Sequence, residues 1–297
     1  MKKVATVKHK KEIQPLMKTL NLITPENSDI PFKSFTFPDG QPHLKIETAH
    51  LTNEDVRCRI LTRIANPNDL LKVVLAKNVL EDAGFERIEL VVSYLMAARM
   101  DRVMTVGEPF SLRVVTDILN NAVFSKTSVF DPHSEVTTAL LRRSTAISNY
   151  RFVKDCLDDF LATNQQTDYW LISPDAGALK KIHGVAQYVG AEHVAECMKV
   201  RDVKTGNLSG FKTLEADFGG KTCVIVDDIC DGGGTFAGLG GLLKERNAGN
   251  VVLIVSHGIF SKGFDIPNID FIYTTDSFKG LGETPAHVSV KKITGYL

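Results

Sequence analysis

The chain has 297 residues, enough for two domains that each bury a core. Lys and Arg number 35, as do Asp and Glu, so no net field draws the protein to nucleic acid or to an anionic membrane. The five cysteines (Cys58, Cys156, Cys197, Cys223 and Cys230) are scattered and never form a C-x-x-C pair, which argues against a disulfide framework and a zinc site and for a reducing, cytoplasmic setting. Near the start, Lys2, Lys3, Lys8, Lys10 and Lys11 form a basic stretch with no apolar segment after it, so no secretory leader is expected. No apolar run approaches the length of a membrane span.

In chain order, residues 35–41 (FTFPDGQ) read as a hairpin turn with no chemistry of their own. Val73, Ala76, Leu80 and Ala83 share one helical face, and residues 88–94 form a β-branched strand. Arg99 and Arg102 then flank Asp101, either as a surface ion-pair cluster or as a clamp for a polyphosphate. Residues 111–121 are helical and 127–130 a strand, with Asp131 and His133 just past its end. A polar, acidic stretch over 155–168 is the expected join between halves, which divides the chain into 1–152 and 153–297. Residues 170–173 are a strand that runs into Ser173-Pro-Asp175-Ala-Gly177, where the aspartate is either a loop residue or a position for magnesium or pyrophosphate. Strands over 223–226, 251–256 and 271–274 complete a βαβ alternation around mostly parallel sheets covered on both faces.

Two stretches in the second half point to chemistry. The first is Lys199-Val-Arg201, followed by Asp202, Lys204, Thr205, Gly206 and Asn207. It has no core-facing period and reads as a mobile loop, either solvated or a lid whose two cations close over a polyphosphate. The second is VIVDDICDGGGTF, residues 224–236. An apolar strand runs into Asp227 and Asp228; then Asp231, Gly232, Gly233, Gly234 and Thr235 form a turn, and Leu239, Leu242 and Leu243 share a helical face. Glycines let backbone N–H groups converge, and the following helix start adds positive potential, so the turn suits a phosphate while the acids suit sugar hydroxyls or a metal. No P-loop, H-E-x-x-H or G-x-S-x-G pattern is present.

These separated motifs, in this order, resemble those of the ribose-phosphate pyrophosphokinases, also called phosphoribosyl pyrophosphate synthetases, from about Phe35 to about Asp276. Phe37-Pro-Asp39-Gly-Gln41 is similar to the family's adenine loop F-S-D-G-E, and the segment from Tyr94 through Arg99 and Asp101 to its ATP-contacting P-Y-x-x-x-A-R-Q-D-R. Asp131-Pro-His133 is similar to its D-L-H element and Ser173-Pro-Asp175-Ala-Gly177 to its S-P-D-x-G loop. Lys199-Val-Arg201 matches its catalytic K-x-R, residues 224–235 its ribose-phosphate loop, and His257-Gly-Ile-Phe260-Ser261 its H-x-I-F-S.

The resemblance implies an α/β fold of two tandem phosphoribosyltransferase-type domains, each a mostly parallel sheet flanked by helices. It implies attack of a ribose 1-hydroxyl on the β-phosphorus of ATP, with Mg2+ as cofactor. It also implies a homo-oligomer, dimer or hexamer, with the ATP site at a subunit interface. By the same resemblance Lys199, Arg201 and Asp231 are catalytic. Asp227, Asp228, Asp231, Gly232, Gly233, Gly234 and Thr235 hold the ribose phosphate. Phe37, Asp39, Gln41, Arg99, Asp101 and His133 bind ATP, and His133 and Asp175 hold metal.

The departures from the pattern matter too. Gly232 stands where the family has threonine, and Gly238, Gly240 and Gly241 follow in the helix, each costing about 1 kcal/mol against alanine. That clustering raises a larger acceptor, ADP-ribose, beside ribose 5-phosphate; close helix packing is the other explanation. Gln41 and Met100 replace the family's glutamate and glutamine, which bears on nucleotide preference. Residues 103–109 lack the arginine and serine that serve phosphate activation and ADP inhibition in the common class. Two further readings stay open: a phosphoribosyltransferase, which shares the ribose-phosphate loop but needs no ATP constellation, and a non-catalytic regulatory subunit.

Overall fold

A computed structural model describes residues 17–49, 51, 57–201 and 208–297; the basic stretch Lys2–Lys11, the segment 202–207 and the side chain of Arg201 lie outside the described residues. Two sheets carry the fold. The first orders β1 (Lys18–Asn21), β4 (Arg57–Ile64), β5 (Arg87–Leu95), β6 (Lys126–Phe130) and β7 (Ser144–Ile147), all parallel. Between β1 and β4 the chain forms an antiparallel hairpin of β2 (Phe32–Thr36) and β3 (Pro42–Ile46), whose turn is the expected one. Helices α1 (Pro67–Asp82), α2 (Ser111–Asn121) and α3 (Val136–Leu140) make the crossovers. Asn66 starts α1 by accepting the Asp69 N–H on its side chain at 3.1 Å, with Pro67 at the first helical position.

Helix α4 (Tyr150–Thr163) leads into the second sheet. Its order is β10 (Leu208–Thr213), β9 (His193–Arg201), β8 (Tyr169–Ser173), β11 (Thr222–Cys230), β12 (Val251–Gly258), β13 (Phe271–Thr275) and β14 (Val288–Lys291). Only β10 runs antiparallel to its neighbour. Alternate residues of β11 serve opposite faces. Val224 and Val226 pack with Val252, Ile254 and the apolar side of α4 and α5 (Leu179–Val189), while Cys223 and Ile225 pack with Leu239 and Leu243 of α6 (Gly234–Glu245). Phe130, at the end of the first sheet's β6, packs in the core of the second. No helix is long and apolar enough to cross a membrane among the described residues.

Three expectations are corrected. The strand before the glycine turn does not stop at Val226: its pairing with β8 ends at Ile225↔Ile172, but pairing with β12 continues to Cys230↔Gly258, so Asp227 and Asp228 lie within β11. Residues 199–201 are not loop but the end of β9, held extended because β10 returns beside them, with Phe211 opposite Lys199. The acidic stretch from Asp155 is helical as far as Thr163, since Phe152, Val153, Cys156, Leu157 and Phe160 give α4 an apolar face; Asp158 and Asp159 instead take lysine partners, Lys154 and Lys291.

Candidate functional site

Beyond Ile225 the edge of β11 is freed from β8, and the first sheet supplies what fills the cleft there. His133, in the loop after β6, donates Nδ1–H to Asp228 Oδ2 across 2.7 Å. Burial works to raise the Asp228 carboxyl, but the His133 hydrogen bond and the Lys181 charge outweigh it and hold the group well below the usual carboxylate range. The same bond raises the His133 imidazole, against its burial, with the charges of Asp228, Asp101 and Asp227 adding to it. Asp227 goes the other way: burial first, then the neighbouring Asp228, push it well up. Two adjacent acids thus differ sharply in basicity, one fixed as an anion and one inclined to keep its proton.

Beneath this pair lies a buried charge network. Asp131 follows β6 with φ of +40° and accepts from Lys181 Nζ at 2.6 Å, from Asn149 Nδ2 at 3.0 Å and from Ser256 Oγ. Lys181 sits on α5. Burial acts against its charge, but Asp131 and Asp228 more than restore it. His257 donates Nε2–H to the Asp131 carbonyl at 3.1 Å and pairs through Nδ1 with Ser277 Oγ at 2.8 Å, and burial lowers it toward the neutral form.

Asp231 begins the glycine turn, where Arg99 Nη1 donates to its Oδ2 at 2.9 Å and Ser261 Oγ to its Oδ1 at 2.6 Å, so both hydrogen bonds hold it below the normal range. Gly233 has φ of +74°, and a Cβ there would stand 2.9 Å from Ile266, two independent reasons for glycine. Gly234 opens α6 with nothing within 4 Å of its Cβ direction, and Thr235 is half-buried in the first turn. Converging N–H groups at a helix start suit an anion. The helix glycines have a different cause from the one a bulky ligand would supply: a Cβ on Gly238 would meet the Phe211 ring at 2.8 Å, one on Gly240 the Asn268 carbonyl at 2.7 Å, and one on Gly241 the Asn268 amide at 3.4 Å. Close packing of β10 and the 264–270 loop on α6 accounts for Gly238 and Gly240; at Gly241 the contact is an ordinary one.

Asp175, after β8, accepts from Lys199 Nζ at 2.6 Å and from the Ala178 N–H at 3.0 Å; burial opposes, but Lys199 keeps it ionised. Lys199 is therefore delivered by β9 to the strand-end carboxylate beside it. No group of three or more His, Cys, Asp or Glu converges to hold a metal among the described residues. Magnesium carried by a polyphosphate takes one or two protein ligands and fills the rest with phosphate oxygens and water; the Asp175 carboxylate is chemically such a ligand, and His133, with Nδ1 on Asp228, has Nε2 left to offer.

The hairpin tip stands apart. Phe37 is 44% exposed, its ring meeting those of Phe35 at 5.1 Å and His43 at 5.5 Å between centroids, while Asp39 accepts from the Gln41 N–H and side-chain amide at 3.0 and 3.1 Å. The structure thus gathers Arg99, His133, Asp228 and Asp231, with Asp101 close enough to act on His133, but does not bring Phe37, Asp39 and Gln41 to them. Sequence reasoning passed over Lys181, Asn149 and Ser256, and it met Ser261 only as the last residue of the H-x-I-F-S likeness. Lys181 left a trace: it lies four residues before Val185, on the apolar face of α5.

Residues 151–280 match the phosphoribosyl transferase domain family. The chain is 30% identical over 268 residues to a ribose-phosphate pyrophosphokinase of Vibrio cholerae serotype O1, covering 87% of this chain and 82% of the relative. It is 28% identical over 239 residues to the ribose-phosphate pyrophosphokinase of Pyrococcus abyssi, 76% of each chain. Its fold matches the crystal structure of phosphoribosylpyrophosphate synthetase from Mycobacterium smegmatis with a TM-score of 0.76 at 20% identity, over 94% of this chain and 95% of that one.

Proposed function

The chain belongs to the ribose-phosphate pyrophosphokinase family, and from that membership we propose that it transfers the β,γ-pyrophosphate of ATP to the 1-hydroxyl of ribose 5-phosphate, giving phosphoribosyl pyrophosphate and AMP. The observation that carries the reading is that Arg99 and His133, from the first half, bond directly to Asp231 and Asp228, from the second. A nucleotide clamp and a sugar-phosphate turn then share one cleft, which a phosphoribosyltransferase does not need. Retention of Lys199, Arg201, His133, Asp175 and Asp231 speaks for an active subunit rather than a regulatory one.

In this reading residues 232–235 seat the 5-phosphate and Asp227 and Asp228 bind ribose hydroxyls. A bond forms from the ribose 1-oxygen to Pβ as the bond from Pβ to the α,β-bridging oxygen breaks, and the hydroxyl proton passes to solvent. Asp231 is too weak a base to take that proton outright; its work is to orient the hydroxyl. Lys199, released from Asp175, and Arg201 neutralise charge on the moving group, since such transfer rests on positioning and electrostatics. Magnesium, held by His133 and Asp175 with the polyphosphate, supplies charge neutralisation when bound. The exposed Phe37 tip, with Asp39 and Gln41, completes the adenine site of a neighbouring copy, which makes the working protein a homo-oligomer. We divide the chain at 152/153, in the first turn of α4, and assign it to the cytoplasm in keeping with five buried free thiols.

A second reading keeps the chemistry and changes the acceptor to ADP-ribose, because the open space at Gly234 leaves room past a terminal phosphate. Purified protein with ATP and magnesium, offered ribose 5-phosphate or ADP-ribose separately, tests both: AMP and the pyrophosphorylated sugar are read by mass spectrometry. Product from ribose 5-phosphate supports the first reading, product from ADP-ribose alone the second, and AMP formation with neither sinks both.

A further inference from the structure

The residue after Ser261 stands where the glycine turn lacks a side chain. The Ile259 and Phe260 N–H groups donate to Cys230 O at 2.9 and 3.2 Å, and the Ser261 N–H donates to Asp231 O at 3.2 Å. Phe260 takes φ of +46°, and the Gly263 N–H closes the turn on Phe260 O at 3.1 Å. With the Ser261 hydroxyl bonded to the Asp231 carboxylate, residues 261–263 are folded over the start of the glycine turn. A Cβ built on Gly232 would have Lys262 Cδ and Cε at 3.5 Å and Cγ at 3.7 Å. A side chain at 232 would therefore lie in ordinary van der Waals contact with the stem of Lys262, which flanks this position of the turn. Among the described residues Lys262 forms no salt bridge, while its charge is felt at Asp231.

We propose that Lys262 is a phosphate-binding residue of the acceptor site, its ammonium meeting the phosphate that residues 231–235 seat and replacing the contact that position 232 cannot make. The proposal rests on the reading that the acceptor phosphate lies on this turn. An ammonium on a four-carbon stem is a mobile point charge, so it favours a phosphate of high charge and adapts to its position, where a hydroxyl at 232 would read geometry alone. The stem lies beside position 232, and the charge reaches the phosphate from the loop after β12. The ligand class is a sugar phosphate with a dianionic phosphoryl group.

The test is Lys262→Met, with Lys262→Arg as the charge-retaining control, measured by calorimetric binding of ribose 5-phosphate and by steady-state kinetics. Loss of a charged hydrogen bond at an exposed site weakens ribose 5-phosphate binding roughly tenfold. The Met variant is expected to raise KM for the acceptor by the same factor, to leave KM for ATP unchanged and to show a flatter salt dependence of acceptor binding; Arg restores it. Unchanged acceptor binding in Lys262→Met, or a loss shared equally by ATP, overturns the proposal. The two failures are distinguishable: a protein that makes no pyrophosphorylated product yet binds ribose 5-phosphate through Lys262 loses the proposed reaction and keeps this inference, whereas transfer with binding indifferent to Lys262 does the reverse.

Discussion

His133 and Asp228, 95 residues apart and at the ends of different sheets, are joined by a 2.7 Å hydrogen bond. Its pH dependence follows from the two shifts. Asp228 is held below its ordinary 3.8, so its contribution is present above that value and lost as pH falls through the lowered one. His133 is raised above 6.5, so its contribution is complete below 6.5 and lost as pH rises through the raised value. The pair therefore stabilises most between about pH 4 and 6.5. The Tm difference between the native protein and His133→Asn is expected to be largest near pH 5 and to shrink in alkali; a difference constant from pH 5 to 9 removes the charged pair from the account.

Arg99 and Asp231 are both substantially exposed, at 53% and 42% of their side chains, so their ion pair adds little to stability. Arg99→Met is expected to leave Tm nearly unchanged while lowering kcat/KM roughly a hundredfold, the scale for losing one positioned donor in a reacting site. A fall in Tm that matches the loss of activity would make Arg99 structural.

Lys181 presents the opposite case. Its partner Asp131 is buried, with 6% of its side chain exposed against 28% for Lys181, so removing the lysine leaves a buried carboxylate without its counter-charge, at a cost of up to about 3–5 kcal/mol. Lys181→Met is expected to lower the urea midpoint sharply, and Lys181→Met with Asp131→Asn to recover most of it. A single variant as stable as the native protein would show that water reaches Asp131.

The alternation of strand and helix was readable because each element repeats its own period: residues 111–121 were read as a helix, and α2 spans those residues. The glycine turn was readable because phosphate chemistry demands small residues at short spacing. What escaped was decided by partners distant in sequence. Lys199 looks like loop because its extended state depends on β10, and Asp228 ends a strand only if β12 is left out. Lys181 looks like surface charge because Asp131, 50 residues earlier, is what makes its burial tolerable. The helix glycines invited a ligand explanation, and only the positions of Phe211 and Asn268 supply the correct one.

Gly233 gives the sharpest test of the turn itself. With φ of +74°, alanine there costs about 1–2 kcal/mol in backbone strain alone. Its Cβ would also stand 2.9 Å from Ile266, a branched side chain buried in the cluster that holds Phe260, so crowding adds to strain. Gly233→Ala is expected to lower stability and to abolish acceptor binding, because the N–H groups at the head of α6 lose their common direction. Ile266→Ala separates the two causes: it costs stability of its own, but combined with Gly233→Ala it removes the crowding and leaves the strain, so the double variant should lose less than the sum of the two while acceptor binding stays lost. Full recovery of binding in the double variant would mean that the turn tolerates alanine and that the phosphate seat depends on Ile266, not on the backbone of Gly233.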